Sequence, residues 1–354
     1  MGLKTLKTVR GEFKYLKSVI KKYGDSLIPG KYVVFPNRRA LSLNDVDSLS
    51  NSERYFNRNK SIGKLIYFVN FVNNINYFKN KNKKSSGSYE AVYTANNHDE
   101  VREVKLFSFK DKKILTICTD EGSYNAQISQ YSDLGRGYNM PKVEPSNKYE
   151  NSFEIDMVSL ENRPGERYAL ENITQSGAKY FPLDNRVKRV SVKDTISFDY
   201  SQEINEILSG IVAKINPGIL NDEFVWCTQH GDLSRDNLIY GESNGKRDFW
   251  WIDWEHVGSR LFFYDYFFYI LNTAVYFKDL EAFNAYMSGE CDADLKRFFE
   301  AYGMTFKEEN RVDYFMIFAV SFLKERVCED NRVGALKMYC NFIEKFFSDI
   351  GEQK

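Results

Sequence analysis

Two short polar segments, each directly after an apolar stretch, contain the residue types that bind a metal ion and accept a proton. The first covers residues 229–237 and reads QHGDLSRDN, and the second covers residues 251–255 and reads WIDWE. Oxygen atoms such as those of Asp232, Asn237 and Asp253 are the hard ligands that Mg²⁺ prefers. A carboxylate in the same place can also take the proton of a hydroxyl group. The two segments therefore predict a site for metal-assisted chemistry on a hydroxyl.

The spacing inside the first segment matches the protein-kinase catalytic loop, H-x-D-x-x-x-x-N, in which the aspartate faces the attacking hydroxyl and the asparagine binds metal. His230, Asp232 and Asn237 stand at these positions. Together with the sequence IDWE at 252–255, the segment resembles the aminoglycoside phosphotransferase and choline kinase superfamily. These proteins are small-molecule kinases with a protein-kinase-like fold. The resemblance covers residues 220–275, and the rest of the C-terminal region follows it loosely.

The resemblance implies a role for each of these residues. Asp232 would be the catalytic base, and Asn237 and Asp253 would bind the Mg²⁺ that accompanies ATP or GTP as co-substrate. Phosphoryl transfer depends mainly on positioning and charge neutralisation, which such side chains supply. His230 would support the loop through a hydrogen bond to the backbone near Asp253. Asp265 would be the buried carboxylate that connects the loop to the following helix.

Two features favour a small molecule over a protein as the phosphate acceptor. Protein kinases usually have lysine where this chain has Ser234, which we include among the supporting residues, and they have a long activation segment after the metal-binding aspartate. Here an aromatic helix is predicted from Leu261, soon after Asp253, and neither D-F-G nor A-P-E is present. We expect a sugar, an amino alcohol, an envelope glycan precursor or an aminoglycoside.

An aminoglycoside acceptor would make a specific electrostatic demand. It is a polycation and should meet an acidic pocket. The C-terminal helices contain a loose acidic cluster, made of Glu290, Asp292, Asp294 and Glu300. These residues either line such a pocket or form a solvated helix face.

The order of the predicted elements fits an α+β protein with a two-lobed, protein-kinase-like fold, in which a small antiparallel-sheet N-lobe precedes a mainly helical C-lobe. The N-lobe elements are strands at 90–95, 101–109 and 113–118, a helix at 123–134, and strands at 142–144 and 153–160. C-lobe helices are predicted at 201–215, 261–277, 280–287, 293–302 and 313–347, the last with a break near 330–333. We therefore expect a helical N-terminal extension at 1–85, ending in a polar linker at 79–88, an N-lobe at 86–163 and a C-lobe at 164–354.

The N-lobe departs from the family pattern at the residues expected to bind the nucleotide. The lysine that contacts the phosphates would normally stand near Cys118, but the centre of the third strand has none. Lys105 and Lys113 are candidates to replace it from neighbouring positions. Val158 and Leu160, at the end of the last N-lobe strand, are also predicted to contact the nucleotide.

The helix after the third strand departs from the pattern as well. It offers Gln127 where a glutamate is expected to pair with the phosphate-binding lysine. Absence of both members of this pair leaves an alternative function open, that of a catalytically inactive kinase-like binding or scaffold protein. An active kinase should lose its activity on Asp232→Asn while it keeps its fold, and a scaffold should be indifferent to this change.

Composition argues against several other classes of function. The chain has 49 basic and 49 acidic residues among its 354, so its net charge does not favour nucleic-acid binding. Its five cysteines are scattered and form no C-x-x-C pair, which argues against a disulfide scaffold or a structural zinc. No apolar run is long enough for a transmembrane helix, and the first residues lack an apolar signal core. We expect a cytoplasmic protein whose partners are a nucleotide and a small-molecule acceptor.

Overall fold

The computed structural model describes residues 14–35, 39–56, 77–80, 87–97, 100–198, 200, 202–330 and 338–343. The chain forms two compact units, each made of several segments. Unit 1 consists of Met1–Ser132, Pro141–Glu161 and Glu242–Arg247, and unit 2 consists of Asp133–Met140, Asn162–Gly241 and Asp248–Lys354. Both polar segments singled out in the sequence therefore belong to unit 2.

In the described part of unit 1, eight strands form an antiparallel sheet with the order β3-β1-β2-β4-β5-β6-β8-β7. They are β1 (Gly30–Val34), β2 (Ala40–Leu43), β3 (Tyr77–Asn80), β4 (Ala91–Asn97), β5 (Glu100–Ser108), β6 (Lys113–Cys118), β7 (Val143–Ser146) and β8 (Ser152–Asp156), followed by the short β9 (Ser159–Leu160). The helices are α1 (residues 14–23), α2 (Val46–Phe56) and α3 (Glu121–Leu134). In β5, the polar Glu103 and Lys105 alternate with the apolar Val104 and Leu106, which is the two-residue period of a strand.

The two faces of this sheet are covered by different helices. Successive side chains of a strand point to opposite faces, so Leu115 and Ile117 of β6 lie on one face and Thr116 and Cys118 on the other. The first face packs against apolar residues of α1, such as Leu16. The second packs against α3 near Cys118. We call them the α1 face and the α3 face.

Unit 2 is mainly helical and surrounds one large apolar core. Its helices are α4 (Glu166–Tyr180), α5 (Val192–Thr195), α6 (Gln202–Val212), α7 (Tyr264–Tyr276), α8 (Glu281–Met287), α9 (Asp292–Ala301), α10 (Arg311–Asp330) and α11 (residues 338–343), with 3₁₀ turns at Phe181–Leu183, Pro217–Ile219 and Glu308–Asn310. The strands β10 (Lys188–Ser191), β11 (Glu223–Gln229) and β14 (Gly258–Leu261) form a small sheet in the order β10-β11-β14, and β12 (Leu238–Ser243) and β13 (Lys246–Trp251) are neighbouring strands.

Helix α7 lies at the centre of this core. Because its sequence is apolar on all sides, it can be buried along its whole length, and every residue from Tyr264 to Val275 is buried. Aromatic rings pack around it, and they include Phe315, Phe318 and Phe322 of α10. Among the described helices, none is long and apolar enough to cross a membrane.

The expected α+β class, with an antiparallel-sheet N-terminal part and a mainly helical C-terminal part, is confirmed. The other elements predicted from residue 90 onwards in this region coincide with β4 to β7 and α3, apart from small shifts at their ends. The single strand predicted at 153–160 is divided into β8 and β9, which belong to different sheets. The helix predicted from residue 261 begins at Tyr264 instead, because Gly258–Leu261 pairs with β11 as a strand. Sequence patterns did not predict α4, β10 and β12.

The N-terminal region differs from the expected helical extension. It contains β1, β2 and β3 in addition to α1 and α2, and β2 pairs with β4 so that the region extends the sheet of unit 1. Lys79 and Asn80, expected in the linker, pair instead with Lys31 and Gly30, because backbone groups that leave water need hydrogen-bond partners. The linker residues 81–86 and the helical positions predicted at 57–76 lie outside the described residues. The division of the chain at residues 85 and 163 remains a prediction.

Candidate active site

A glycine in a left-handed conformation turns the chain from β11 into the polar loop. Gly231 has a φ of +82°, which strains any residue with an L side chain. A Cβ atom at this position would lie 2.5 Å from the His256 carbonyl oxygen and 2.5 Å from Arg260 Nη1. The backbone conformation and the close packing therefore both require glycine between His230 and Asp232.

Asp265, in the first turn of α7, holds this turn with both carboxylate oxygens. Its Oδ2 accepts a hydrogen bond from the His230 amide at 2.6 Å, and its Oδ1 accepts one from the Gly231 amide at 2.9 Å. The Gln229 side chain in turn accepts from the Asp265 amide at 3.1 Å. Burial raises the pKa of the Asp265 carboxyl to about 6, although the two amides and the Arg260 charge favour its ionised form. The loop is thereby fixed to α7.

His230 is fully buried and connects the two polar segments. Its Nε2 donates to the Ile252 carbonyl at 2.8 Å, and its Nδ1 accepts from the Asp232 amide at 3.3 Å. This pattern requires a neutral ring with its proton on Nε2. Burial lowers the pKa of His230 to about 4, so the ring stays neutral at neutral pH. The contacts are those of a residue that supports the loop.

Asp232 and Asn237 are joined across one turn of the loop. The Asn237 Nδ2 donates to the Asp232 carbonyl at 2.8 Å and lies 3.4 Å from Asp232 Oδ2. Neither contact uses the Asn237 Oδ1, and a neutral oxygen of this kind is a suitable ligand for Mg²⁺. The Ser234 carbonyl closes the turn by accepting from the amides of Asn237 at 3.0 Å and Leu238 at 2.9 Å.

Asp253 follows a residue that is bonded to both ends of the loop. The Ile252 amide donates to the Asn237 carbonyl at 3.0 Å, and the Ile252 carbonyl accepts from His230 at 2.8 Å. Asp253 itself is exposed and has a left-handed φ of +64°, a conformation that aspartate adopts more readily than most residues. Ile252 is thus hydrogen-bonded to Asn237, and the exposed Asp253 carboxylate belongs to the next residue of the chain.

An ion-pair network centred on the buried Glu166 also holds the loop. The Arg235 guanidinium lies 2.6 Å from Glu166 Oε1 and 2.5 Å from Asp279 Oδ2. Arg163 donates to the carbonyls of Arg235 and Leu238, at 3.1 and 2.8 Å. A buried carboxylate requires partners of this kind to offset its loss of hydration. Sequence reasoning did not find this network, which ties both the backbone and a side chain of the loop to the rest of unit 2.

The two lysines proposed to contact the nucleotide both belong to unit 1 and both form ion pairs there. Lys105 Nζ lies 2.6 Å from Glu103 Oε1. Lys113 pairs with Asp156, which also accepts from the Asn244 side chain at 2.5 Å. Their role in nucleotide binding remains a prediction.

Val158 and Leu160, the other two residues predicted to contact the nucleotide, also lie in unit 1. The Val158 carbonyl accepts a hydrogen bond from the Tyr55 hydroxyl at 2.7 Å. Leu160 is half-buried in β9. The Val158 carbonyl therefore already has a partner from α2, and the contribution of both residues to nucleotide binding remains a prediction.

The oxygen donors near the loop fit a Mg²⁺ ion that is bound together with a nucleotide. In the described part of the chain, no group of three or more His, Cys, Asp and Glu side chains is placed to hold a metal ion. A nucleotide-bound Mg²⁺ needs few protein ligands, because it keeps several waters and takes phosphate oxygens for the remainder. Asn237 Oδ1 and the exposed Asp253 carboxylate are suited to that use.

Two comparisons that start from the sequence find no match. No model of a protein family matches the chain, and no curated protein matches it. Solved structures, in contrast, include many similar chains. Three of these are described below.

A choline/ethanolamine kinase family protein from Mesorhizobium loti is similar at 12% identity and a TM-score of 0.37, over 74% of this chain and 88% of that one. Amicoumacin kinase, solved with AMP-PNP and Ca²⁺, is similar at 11% identity and a TM-score of 0.42, over 72% and 88%. An ethanolamine kinase from Plasmodium vivax is similar at 13% identity and a TM-score of 0.38, over 72% and 80%. These structures are of the kind that the two motifs resemble. At such low identities and TM-scores, no substrate or residue role is transferred from them.

Proposed function

We propose that this protein is a small-molecule kinase, which transfers the γ-phosphoryl group of ATP or GTP, bound with Mg²⁺, to a hydroxyl group. One observation carries the proposal. Hydrogen bonds connect Asp232 and Asn237 to His230 and Ile252, and Asp253 is the residue that follows Ile252 in the chain. A carboxylate base and two oxygen ligands are thus held in one loop region, as phosphoryl transfer requires of a protein.

In the proposed reaction, the Asp232 carboxylate orients the acceptor hydroxyl and takes its proton. The hydroxyl oxygen forms a bond to the γ-phosphorus while the bond from this phosphorus to the bridging oxygen breaks, which releases the nucleoside diphosphate. Asn237 and Asp253 would hold Mg²⁺, and the ion would neutralise charge on the phosphates. Proton transfer to Asp232 would contribute about 10²–10⁴-fold to the rate.

Ion pairs in α9 and α10 favour an acceptor with little positive charge. Asp292 pairs with Arg311 at 2.5 Å. Asp294 pairs with Arg297 and lies 3.7 Å from Arg167. Because arginines already pair with two of the four carboxylates, the acidic cluster of the C-terminal helices has about half of its negative charge left for a polycation. We infer a sugar, a glycan precursor or a singly charged amino alcohol in preference to an aminoglycoside.

A second candidate function is an inactive kinase-like binding protein. It is favoured by the lack of a lysine near Cys118 and by Gln127 at the position expected for the pairing glutamate. Transfer of labelled phosphate from ATP and GTP to a panel of sugars, amino alcohols, glycan precursors and aminoglycosides distinguishes the two functions. Wild type should phosphorylate an acceptor of the panel, and Asp232→Asn should lose about 10²–10⁴-fold in rate.

Asp236→Asn is the matched control, because it makes the same carboxylate-to-amide change in the same loop. It should retain activity, and melting temperatures should show that both variants are folded. Equal activity of Asp232→Asn and wild type would contradict the role of Asp232. A wild-type protein that transfers phosphate to no acceptor of the panel would favour the inactive binding protein.

A further inference from the structure

The sheet of unit 1 brings a polar cluster together on its α3 face. Residues directly opposite each other on paired strands share a face, and the register pairs Glu103 with Cys118 and Lys105 with Thr116. All four side chains therefore belong to the α3 face. The phosphate-binding lysine is expected near Cys118, and Lys105 of β5 lies on the same face of the sheet as Cys118.

Glu103 connects Lys105 to helix α3. Its Oε1 lies 2.6 Å from Lys105 Nζ, and its Oε2 accepts a hydrogen bond from Gln127 Nε2 at 3.0 Å. The Glu103 side chain is 2% exposed and that of Lys105 is 24% exposed, so the carboxylate is buried while part of the lysine side chain is open to solvent. The α3 face therefore has a lysine–glutamate pair that is hydrogen-bonded to α3, although the residues expected to form such a pair are absent from β6 and α3.

The thiol of Cys118 adds no charge to this cluster. Burial, followed by the nearby Glu103 carboxylate, raises the pKa of Cys118 to about 12. The thiol is neutral at any pH near neutrality. The Lys105 ammonium and the Glu103 carboxylate therefore balance each other beside it.

Lys113 lies on the opposite face of the sheet. It alternates with Ile114 in β6 and so shares the α1 face with Leu115 and Ile117, which pack against the apolar residues of α1. Its ion pair with Asp156 is also on this face, since the register places the two residues opposite each other. Lys113 is therefore separated from the Cys118 position by the sheet itself.

We propose that Lys105, oriented by Glu103 and Gln127, is the residue that binds the phosphate chain of the nucleotide. The inference rests on the proposed phosphotransferase function. A lysine ammonium has three N–H donors, so it can hold a carboxylate and phosphate oxygens at the same time. In the usual arrangement the lysine lies on a strand and its glutamate partner on a helix. Here the lysine and the glutamate, Lys105 and Glu103, both lie on β5, and Gln127 connects Glu103 to α3.

Calorimetric titration of wild type and Lys105→Met with adenosine and with ATP, each in the presence of Mg²⁺, tests this assignment. A charge-assisted contact to phosphate should be worth about tenfold to hundredfold in ATP affinity, and adenosine affinity should stay unchanged because adenosine has no phosphate. Lys142→Met is the matched control, since Lys142 forms an exposed ion pair with Glu144 in the same unit. It should bind both ligands like wild type.

Gln127→Leu tests the positioning part of the inference. It removes the hydrogen bond to Glu103 but leaves the lysine in place, so it should weaken ATP binding by a few-fold and leave adenosine binding unchanged. The melting temperature of each variant without ligand should show that it is folded. An equal loss of ATP and adenosine affinity would indicate a structural role for the residue and would overturn its assignment.

The proposed function and the Lys105 assignment fail in different ways. If wild type binds no nucleotide, both fail. If wild type binds ATP and Lys105→Met binds it equally well, only the assignment of Lys105 fails. Loss of ATP binding in Lys113→Met, with full binding in Lys105→Met, would transfer the role to Lys113.

Discussion

Unit 1 and unit 2 each contain a buried carboxylate next to the residues proposed for chemistry, and these two carboxylates have different partners. Asp265 in unit 2 accepts hydrogen bonds from the backbone amides of His230 and Gly231. Glu103 in unit 1 contacts the side chains of Lys105 and Gln127. Their exposed fractions are similar, 3% for Asp265 and 2% for Glu103, so the chemical type of the partner distinguishes them.

This difference shows what each carboxylate controls. A carboxylate bound to backbone amides fixes the dihedral angles of the chain, so its removal changes the shape of the loop. A carboxylate bound to side chains fixes the position of a charge, so its removal leaves the sheet intact and changes where the charge lies. We therefore expect changes around Asp265 to affect protein stability most, and changes around Glu103 to affect ligand binding most.

Removal of Asp265 should have the largest effect on stability. Asp265→Ala leaves the amides of His230 and Gly231 buried without acceptors, which costs about 2–6 kcal/mol at roughly 1–3 kcal/mol per group. Urea unfolding of wild type and variant measures the loss. Asp265→Asn keeps the shape and one acceptor oxygen, so it should lose less. An Asp265→Ala variant within about 1 kcal/mol of wild type would show that the amides do not depend on this carboxylate.

A second glycine allows the packing of the loop to be separated from its backbone conformation. Gly231 and Gly245 have φ values of +82° and +74°, but a Cβ at Gly245 would meet no atom within 4 Å. Gly245→Ala should therefore cost about 1–2 kcal/mol from backbone strain alone. Gly231→Ala should cost a further 1–3 kcal/mol, roughly, from the contact with the His256 carbonyl. If both variants lose the same free energy of unfolding in urea, the contact between a Cβ at residue 231 and the His256 carbonyl does not affect stability.

Glu103→Gln should have a smaller effect on stability than Asp265→Ala. The Lys105 ammonium is partly exposed and can be hydrated after the change, so we expect a loss of about 1 kcal/mol. Glu154→Gln is the matched control, because Glu154 pairs with Lys148 near the surface, and such pairs contribute less than about 1 kcal/mol. A loss in Glu103→Gln that exceeds the loss in Asp265→Ala would reverse the comparison between the two units.

Stability should also depend on pH through Asp265. Its pKa is raised to about 6 in the folded protein from an ordinary value of 3.8. The folded state therefore holds this proton more tightly than the unfolded chain. Protonation of Asp265 therefore stabilises the folded state. This stabilisation is fully present below about pH 4 and is lost as the pH rises through 6.

The free energy of unfolding of wild type relative to Asp265→Asn should accordingly be higher at pH 5 than at pH 7. Urea unfolding at both pH values measures this difference. The titration of His230 cancels in the comparison because both proteins contain it. A difference that is the same at both pH values, or larger at pH 7, would show that Asp265 titrates normally.

The loop at residues 229–237 could be largely predicted because its contacts are local in sequence. One turn of the chain separates Asp232 from Asn237, and the structure joins these residues directly. His230 contacts the carbonyl that precedes Asp253, the kind of backbone contact expected of it. The strands β4, β5 and β6 could also be predicted, because they are rich in β-forming residues and polar turns separate them. The chemical roles of the loop residues remain predictions.

Features that depend on distant residues could not be predicted. The Glu166 network joins Arg163 to a carbonyl 72 positions away, and a single sequence has no signal for such a pair. The strands β1, β2 and β3 are short and obtain their stability from pairing with each other and with β4, so their own residues define them weakly. The proximity of Lys105 to the Cys118 position likewise depends on the strand register.

Nucleotide binding that depends on Mg²⁺ tests the central proposal most directly. The melting temperature is measured with ATP and with GTP, each with and without Mg²⁺, for wild type, Asp253→Ala and the control Glu255→Gln. A ligand that binds the native state raises this temperature by mass action. We predict a rise that requires Mg²⁺ in wild type and Glu255→Gln and is lost in Asp253→Ala. No rise in wild type at millimolar nucleotide, or an equal rise in Asp253→Ala, would contradict the proposal.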